Sequence, residues 1–573
     1  MKLFRFRNFF AVLLIGGAAI APEIHAQQSA SPDPDATLNY IHAAWDTLTR
    51  SVTDCNSLTD VKVAGGAGGS DAAGSSPATV LYLPADMPTP AKLNELTRTC
   101  HVRVLLLPKK IEKLGDVQPE DLKAPGLLYL PNPYVVPGGR FNEMYGWDSY
   151  FIVLGLEADH REDLARGMVD NFLFEIENYG AVLNANRTYY LTRSQPPFLT
   201  SMIRAVIESP ASFEATPAGR RKAHDWLAHA YTLALKDYAT WERQEHKAGT
   251  TGLSRYWDYG NGPVPEMADD STYYTDVIRW LVAHPHQGGD GFLLKAAEHP
   301  DAAEAARLKQ TSCDVQANVV CARAWFGGYR LTRAFYQGDR AMRESGFDPS
   351  DRFGPFSGAT EEYAPVCLNS LLYRYERDLE HLALLLGNDR DAEHWDRRSQ
   401  QRAAAIQRYL WRPKDGVFAD FDFVHAKSSN YAFITSLYPL WAGFATREEA
   451  TQMEATLNLF ERAGGLSMSN TNTGLQWDEP YGWAPTNWIA VAGLQAYGFR
   501  VDAARIAEHF DATVDAGFAA DGTIREKYNV VKGNSDVQVS TGYRTNVIGF
   551  GWTNAIYLKM KEIARKPAVT SAP

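Results

Sequence analysis

From about residue 140 onward the apolar residues recur every three or four positions, and no strand–helix–strand alternation breaks the pattern. That periodicity predicts an all-α chain. Leu164, Met168, Phe172 and Ile176 repeat every four residues, and Gly180 supplies a stop. Leu368, Leu372, Tyr375, Leu379, Leu382 and Leu386 alternate three-four and end at Gly387-Asn388. Thr446 and Glu449 form a capping box ahead of Ala450, Met453, Leu457 and Phe460. Ile489, Leu494 and Tyr497, then Val501, Ile506 and Phe510, predict two more helices around Gly498. The connecting loops are rich in Trp, Gly, Pro, Asp and Arg. Loops of that composition are where binding and catalysis concentrate.

The rest of the chain narrows the class. The 573 residues carry a net charge of −11 and no long Lys/Arg run, which excludes an extended nucleic-acid footprint. Aromatic residues make up 12% of the chain, enough for a large core and a site lined with flat rings. Residues 1–26 read as a secretory signal: Lys2, Arg5 and Arg7, then an apolar run at 9–21 too short to span a bilayer, then a cleavage position after Ala26. The expectation is a soluble protein, periplasmic or secreted, without a membrane segment after cleavage. Residues 27–130 read as a polar leader and an irregular insertion, with low-complexity sequence at 64–77. Within it Val80 and Tyr82, and Val102, Val104 and Leu106, alternate as short strands do. Residues 566–573 read as a disordered tail. Among five cysteines, Cys313 with Cys321 and Cys55 with Cys100 are candidate pairs, Cys367 is the odd one, and five free buried thiols fit equally well. No Cys/His ladder or HExxH occurs, so no metal site is expected.

Six loop motifs carry candidate chemistry. PGGRFNEMYGWDSYF at 137–151 puts Arg140, Glu143, Asp148 and five aromatics within fifteen residues; alone it fits a helix start with an internal Arg140 ion pair. RSQPP at 193–197 fixes Arg193 and Gln195 beside two prolines; alone it fits a turn. RESGFDPSDRF at 343–353 sets Asp348 among an aromatic, a proline and nearby arginines, surroundings that shift a carboxyl pKa. GLQWDEPYGWAPTNW at 474–488 concentrates Gln476, Trp477, Asp478 and Glu479. DGTIREKYN at 521–529 holds Glu526, which alone fits an exposed helix with a Glu–Lys face. GFGWTN at 549–554 places Trp552 behind two glycines.

Taken together, these motifs resemble trehalases, the family 37 glycoside hydrolases, in both sequence and order. The two long motifs match the family's signatures nearly residue for residue, and the likeness runs from about Pro131 to Leu558. It implies an (α/α)6 toroid, a double ring of helices spanning 131–565, with the pocket at one mouth. It also implies inverting hydrolysis of α,α-trehalose to two glucose molecules by a monomer that needs no cofactor. Such chemistry uses two carboxylates about 6.5–9.5 Å apart. By motif match the acid is Asp348 and the base Glu526. The sugar-holding positions are Arg140, Trp147, Asp148, Asn184, Arg193, Ser194, Gln195, Glu266 and Gly346, and the QWDEP motif adds Gln476 and Trp477. The sequence departs from the family at Val264 (Arg elsewhere), Phe347 (Trp), Asn184-Ala185 (Asn-Gly) and Tyr543-Arg544 (a Gly-rich segment with Glu). Either a charge pair has left as a unit, or Arg544 supplies the missing cation. The altered pocket also leaves open another α-linked glucoside, or a sugar-binding protein with impaired turnover.

Overall fold

In a computed structural model of the chain, residues 34–58, 79–268 and 272–565 are described. The leader with its cleavage position, the 64–77 stretch and the 566–573 tail lie outside them.

Helices alternate between two layers. Gly146–Ala158, Leu199–Glu208, Val366–Leu385, Tyr438–Ala442, Ala484–Ala496 and Gly551–Ala564 each pack on the next, and the last packs on the first. The first five are each followed in the chain by an outer helix: Glu162–Tyr179, Pro217–Trp241, Asp389–Tyr409, Arg447–Ala455 and Arg500–Asp521. The sixth outer helix is Pro34–Leu48, which comes from the start of the described chain and packs on the Arg500–Asp521 and Gly551–Ala564 helices. The result is an (α/α)6 toroid.

Sequence explains the layering. Gly146–Ala158 and Ala484–Ala496 are apolar almost all round, and ten residues of each are buried, as befits helices covered on every side. Outer helices keep one apolar stripe. Ring closure depends on a small residue: a Cβ on Gly155 would lie 2.4 Å from Ala555, so first and last inner helices meet backbone to backbone. The predicted stops hold. Gly180 ends its helix at φ +90°, Gly498 separates two helices at φ +83°, and the Thr446/Glu449 capping box forms.

The expected irregular insertion is regular where it is described. Thr79–Leu83 is the centre of a parallel three-stranded sheet, flanked by Val102–Leu106 and Leu127–Leu128. Thr49–Arg50 pairs antiparallel with Tyr134–Val135. These residues dock on the toroid through Tyr129, Tyr179 and Phe174. Cys55–Cys100 and Cys313–Cys321 are disulfides, and Cys367 is free and buried. Residues 264–268 and 272–331 build a satellite core around Tyr273, Tyr274, Phe335 and Tyr336 against the Arg333–Glu344 helix.

Candidate active site

The six motifs converge because they occupy the loops that lead into the inner helices. Trp147 and Asp148 open the Gly146–Ala158 helix, residues 184–195 precede Leu199–Glu208, and residues 474–483 precede Ala484–Ala496. Glu526 and GFGWTN precede or open the last inner helix, while Asp348 follows the Arg333–Glu344 helix by four residues.

An aromatic wall forms first. Trp147 meets Phe347, Trp477 and Trp552 at centroid distances of 5.5, 5.9 and 5.6 Å, and Trp477 stacks on Trp483 at 3.8 Å. Gly346 has φ +76°, and a Cβ there would sit 2.9 Å from Trp147, so only glycine lets the Asp348 turn lie against this ring. Gln476 donates from Nε2 to the Asp348 carbonyl, and the Trp477 N–H donates to the Pro349 carbonyl. The fourth motif thereby braces the turn carrying Asp348.

Charge gathers on one side of that turn. Arg193 donates to Asn184 Oδ1 at 2.8 Å, to Asp258 Oδ2 at 3.4 Å and to Glu266 Oε1. Arg343 spans Asp339 with two bonds of 3.2 Å and reaches Asp348 Oδ2 at 3.4 Å and the Tyr543 hydroxyl at 3.0 Å through one nitrogen, Nη1. Burial pushes the Asp348 carboxyl up to about 7; Arg343 and Arg193 pull it down, and Glu266 pushes it up again. Burial also raises Glu266, but Arg193 and Arg343 outweigh it and hold that carboxyl below its usual range. Asp148 lies well above its usual range, mainly from burial and then from the charges of Glu526 and Asp348. One buried carboxyl therefore lies within electrostatic reach of both members of the expected pair.

Glu526 has a different setting. Its N–H donates to the Val547 carbonyl, its carbonyl accepts from Trp552 Nε1, and its Oε2 accepts from Lys527 Nζ at 2.8 Å. The stretch is extended, with Tyr528–Asn529 pairing to Tyr481–Gly482, and Lys527 is fully buried. The exposed Glu–Lys helix face is thus not what the motif makes.

Other expected sugar-holding residues also fix the frame. Gln195 Oε1 accepts from the Trp147 N–H, Ser194 Oγ donates to the Val182 carbonyl, and the Ser194 N–H donates to Glu344 Oε1. Arg140 does not join the buried cluster: it is exposed, with its guanidinium 4.6 Å from the Phe141 ring, and its neighbour Glu143 pairs with Arg187 at 2.8 Å. Arg544 is 62% exposed and 3.9 Å from Asp276, outside the buried cluster around Asp348. Val264 is fully buried in the satellite core, and its N–H donates to the Tyr274 hydroxyl, which donates to Asp339. The guanidinium beside Asp348 is that of Arg343. It is one of the arginines expected near Asp348, five residues before it in the chain; its reach to Tyr543 is set by the fold. Glu344, which no motif reading singled out, holds the Ser194 and Trp257 N–H groups and His246 Nε2.

A double helical ring whose inner-helix loops gather an aromatic wall and several buried carboxyls has the architecture of the (α/α)6 glycosidases. The family profile described as Trehalase matches residues 79–279 and 331–564, and the chain belongs to that family. It is 33% identical to a probable trehalase of Eremothecium gossypii, over 90% of this chain and 71% of that one. It is 35% identical to the cytosolic neutral trehalase of Emericella nidulans, over 74% and 57%. Neutral trehalase Nth1 from Saccharomyces cerevisiae superposes with a TM-score of 0.73 at 30% identity, covering 93% of this chain and 94% of that one. The chain thus spans 57–71% of the length of these two curated relatives. The periplasmic or secreted placement expected from the leader is corrected by this comparison, because relatives from Emericella nidulans, Saccharomyces cerevisiae and Neurospora crassa are named cytosolic enzymes. The profile match begins at Thr79, so the parallel sheet belongs to the family's chain and not to an insertion.

Proposed function

We propose that the protein hydrolyses α,α-trehalose with inversion, Asp348 serving as general acid and Glu526 as general base. Glu526 takes a proton from water as the water oxygen attacks the anomeric carbon. The glycosidic C–O bond breaks, and Asp348 gives its proton to the departing oxygen. One water is consumed, and one β- and one α-glucose leave. The aromatic wall offers flat faces to the C–H sides of the sugars, and the buried charges of Arg193 and Glu266 offer a donor and an acceptor to hydroxyls.

The observation that carries this reading is the contrast between the two carboxyls. Asp348 is held near 7 by burial, so it keeps a proton to donate, while Glu526 rests against an ammonium. The test is NMR of the initial products, before mutarotation, from purified protein given trehalose, maltose or kojibiose. Trehalose cleavage releasing β- and α-glucose in equal amounts is expected. Cleavage of another disaccharide alone would replace the substrate, first release of α-glucose only would replace the mechanism, and no cleavage of any would leave a sugar-binding protein.

A further inference from the structure

Lys527 is buried to 0% exposure beside the expected base. A buried ammonium is costly unless paired and hydrogen-bonded. Its Nζ donates to Glu526 Oε2 at 2.8 Å and to the Thr545 carbonyl at 3.3 Å, and lies 5.0 Å from the Trp483 ring centroid. One oxygen of Glu526 is therefore tied, through one ammonium, to the loop at 543–546. The same loop grips the base segment a second time. Asn546 Oδ1 accepts from the Lys527 N–H at 3.3 Å, and its Nδ2 donates to the Lys527 carbonyl at 3.0 Å, as a neighbouring strand would.

At its other end the loop touches the acid's support. The Tyr543 hydroxyl accepts from Arg343 Nη1 at 3.0 Å, and that nitrogen also donates to Asp348 Oδ2. Four consecutive residues thus connect the groups that hold the two carboxyls. We propose that residues 543–546 are a brace that sets the acid and base relative to each other, with Lys527 and Tyr543 as its two positioning residues. The inference rests on the assignment of Asp348 and Glu526 above and extends it. The brace matters because a misplacement of about 1 Å in such a pair costs on the order of a hundredfold in rate.

The test separates the two carboxyls chemically. Fluoride leaves a sugar without being protonated, so α-glucosyl fluoride needs the base and its water but little from the acid. Lys527→Met is expected to lower kcat on both trehalose and the fluoride by about tenfold or more, with KM little changed. Tyr543→Phe removes only a hydroxyl on the acid side, yet the brace predicts that it slows the fluoride as well, by about threefold or more. The double variant is expected to lose less than the product of the single losses. Tyr543→Phe slowing trehalose alone, or losses that multiply, would overturn the brace. Hydrogen exchange at residues 524–529 gives a readout that needs no turnover: Tyr543→Phe is expected to speed it, and unchanged exchange refutes the link. Because Tyr543→Phe leaves the buried ion pairs intact, it carries the test if Lys527→Met fails to fold. Wild-type protein that cleaves the fluoride but not trehalose would remove the substrate assignment and leave the brace open to the same measurements.

Discussion

The surroundings of the proposed acid and of the proposed base are built by opposite means. Asp348 sits in a crowd: Arg343 from the Arg333–Glu344 helix, Arg193 from the 184–195 loop, Glu266, Tyr273, Tyr543 and Asp148 all lie within electrostatic reach. No single partner decides its state, and burial outweighs the two cations. Glu526 has one buried ammonium and a backbone clamp. A group that must hold a proton is best served by burial with partly cancelling charges. A group that must accept one is best served by a fixed place.

The largest effects should come from the carboxyls themselves. Asp348→Asn and Glu526→Gln are each expected to lower trehalose turnover by about 10²–10⁴-fold while trehalose binding, read by calorimetry, stays near wild type. A variant that keeps wild-type turnover would show its carboxyl to be a bystander. Next comes Arg343→Met, expected to cut kcat/KM by about a hundredfold, since it unpairs buried Asp339 and releases Asp348. It should also move the pH profile in a definite direction. The acid works protonated, so activity falls as pH rises through about 7. A cation favours the carboxylate, and removing it raises the Asp348 pKa, so the alkaline limb should move to higher pH. A limb that stays put would mean that Arg343 only binds sugar.

Smaller effects test the frame. Gly346→Ala places a Cβ 2.9 Å from Trp147 at a positive φ, and is expected to cost about 1–3 kcal/mol in a melting experiment. It should slow turnover by displacing the Asp348 turn. Val264→Arg would bury a guanidinium in the packed satellite core and is expected to lower Tm without raising turnover. Smallest of all, Arg544→Ala is expected to change kcat/KM by less than about twofold, because an exposed side chain 3.9 Å from Asp276 contributes little. A large loss there would return Arg544 to the site.

Much of this was legible in the chain. The helical period, the glycine stops at 180 and 498 and the capping box at 446–449 are local, and local propensity agreed with the fold. The six motifs lie on the loops that lead into the inner helices. Within 27–130 the alternation at Val80–Tyr82 and Val102–Leu106 marked two strands, but not their parallel pairing or the third strand, because those join residues over long separations: Thr79 meets Val102, and Leu81 meets Leu127. Arg140 and Arg544 were picked for their neighbours in sequence, and both proved exposed. Arg343 stood among the arginines expected near Asp348, and its partners Asp339 and Asp348 are local; Glu344 was not singled out, because its partners lie far along the chain, at Ser194 and Trp257.

By itself the sequence determined the helical class and marked the loops and the two carboxyls on which the proposal rests, because period and motif are properties of neighbouring residues. Only the tertiary structure decided which cation stands beside Asp348, which lysine is buried against Glu526 and which arginines face solvent. Those outcomes depend on desolvation and on contacts between residues up to two hundred positions apart, such as Arg343 with Tyr543. A charge in sequence has no dielectric until the fold surrounds it.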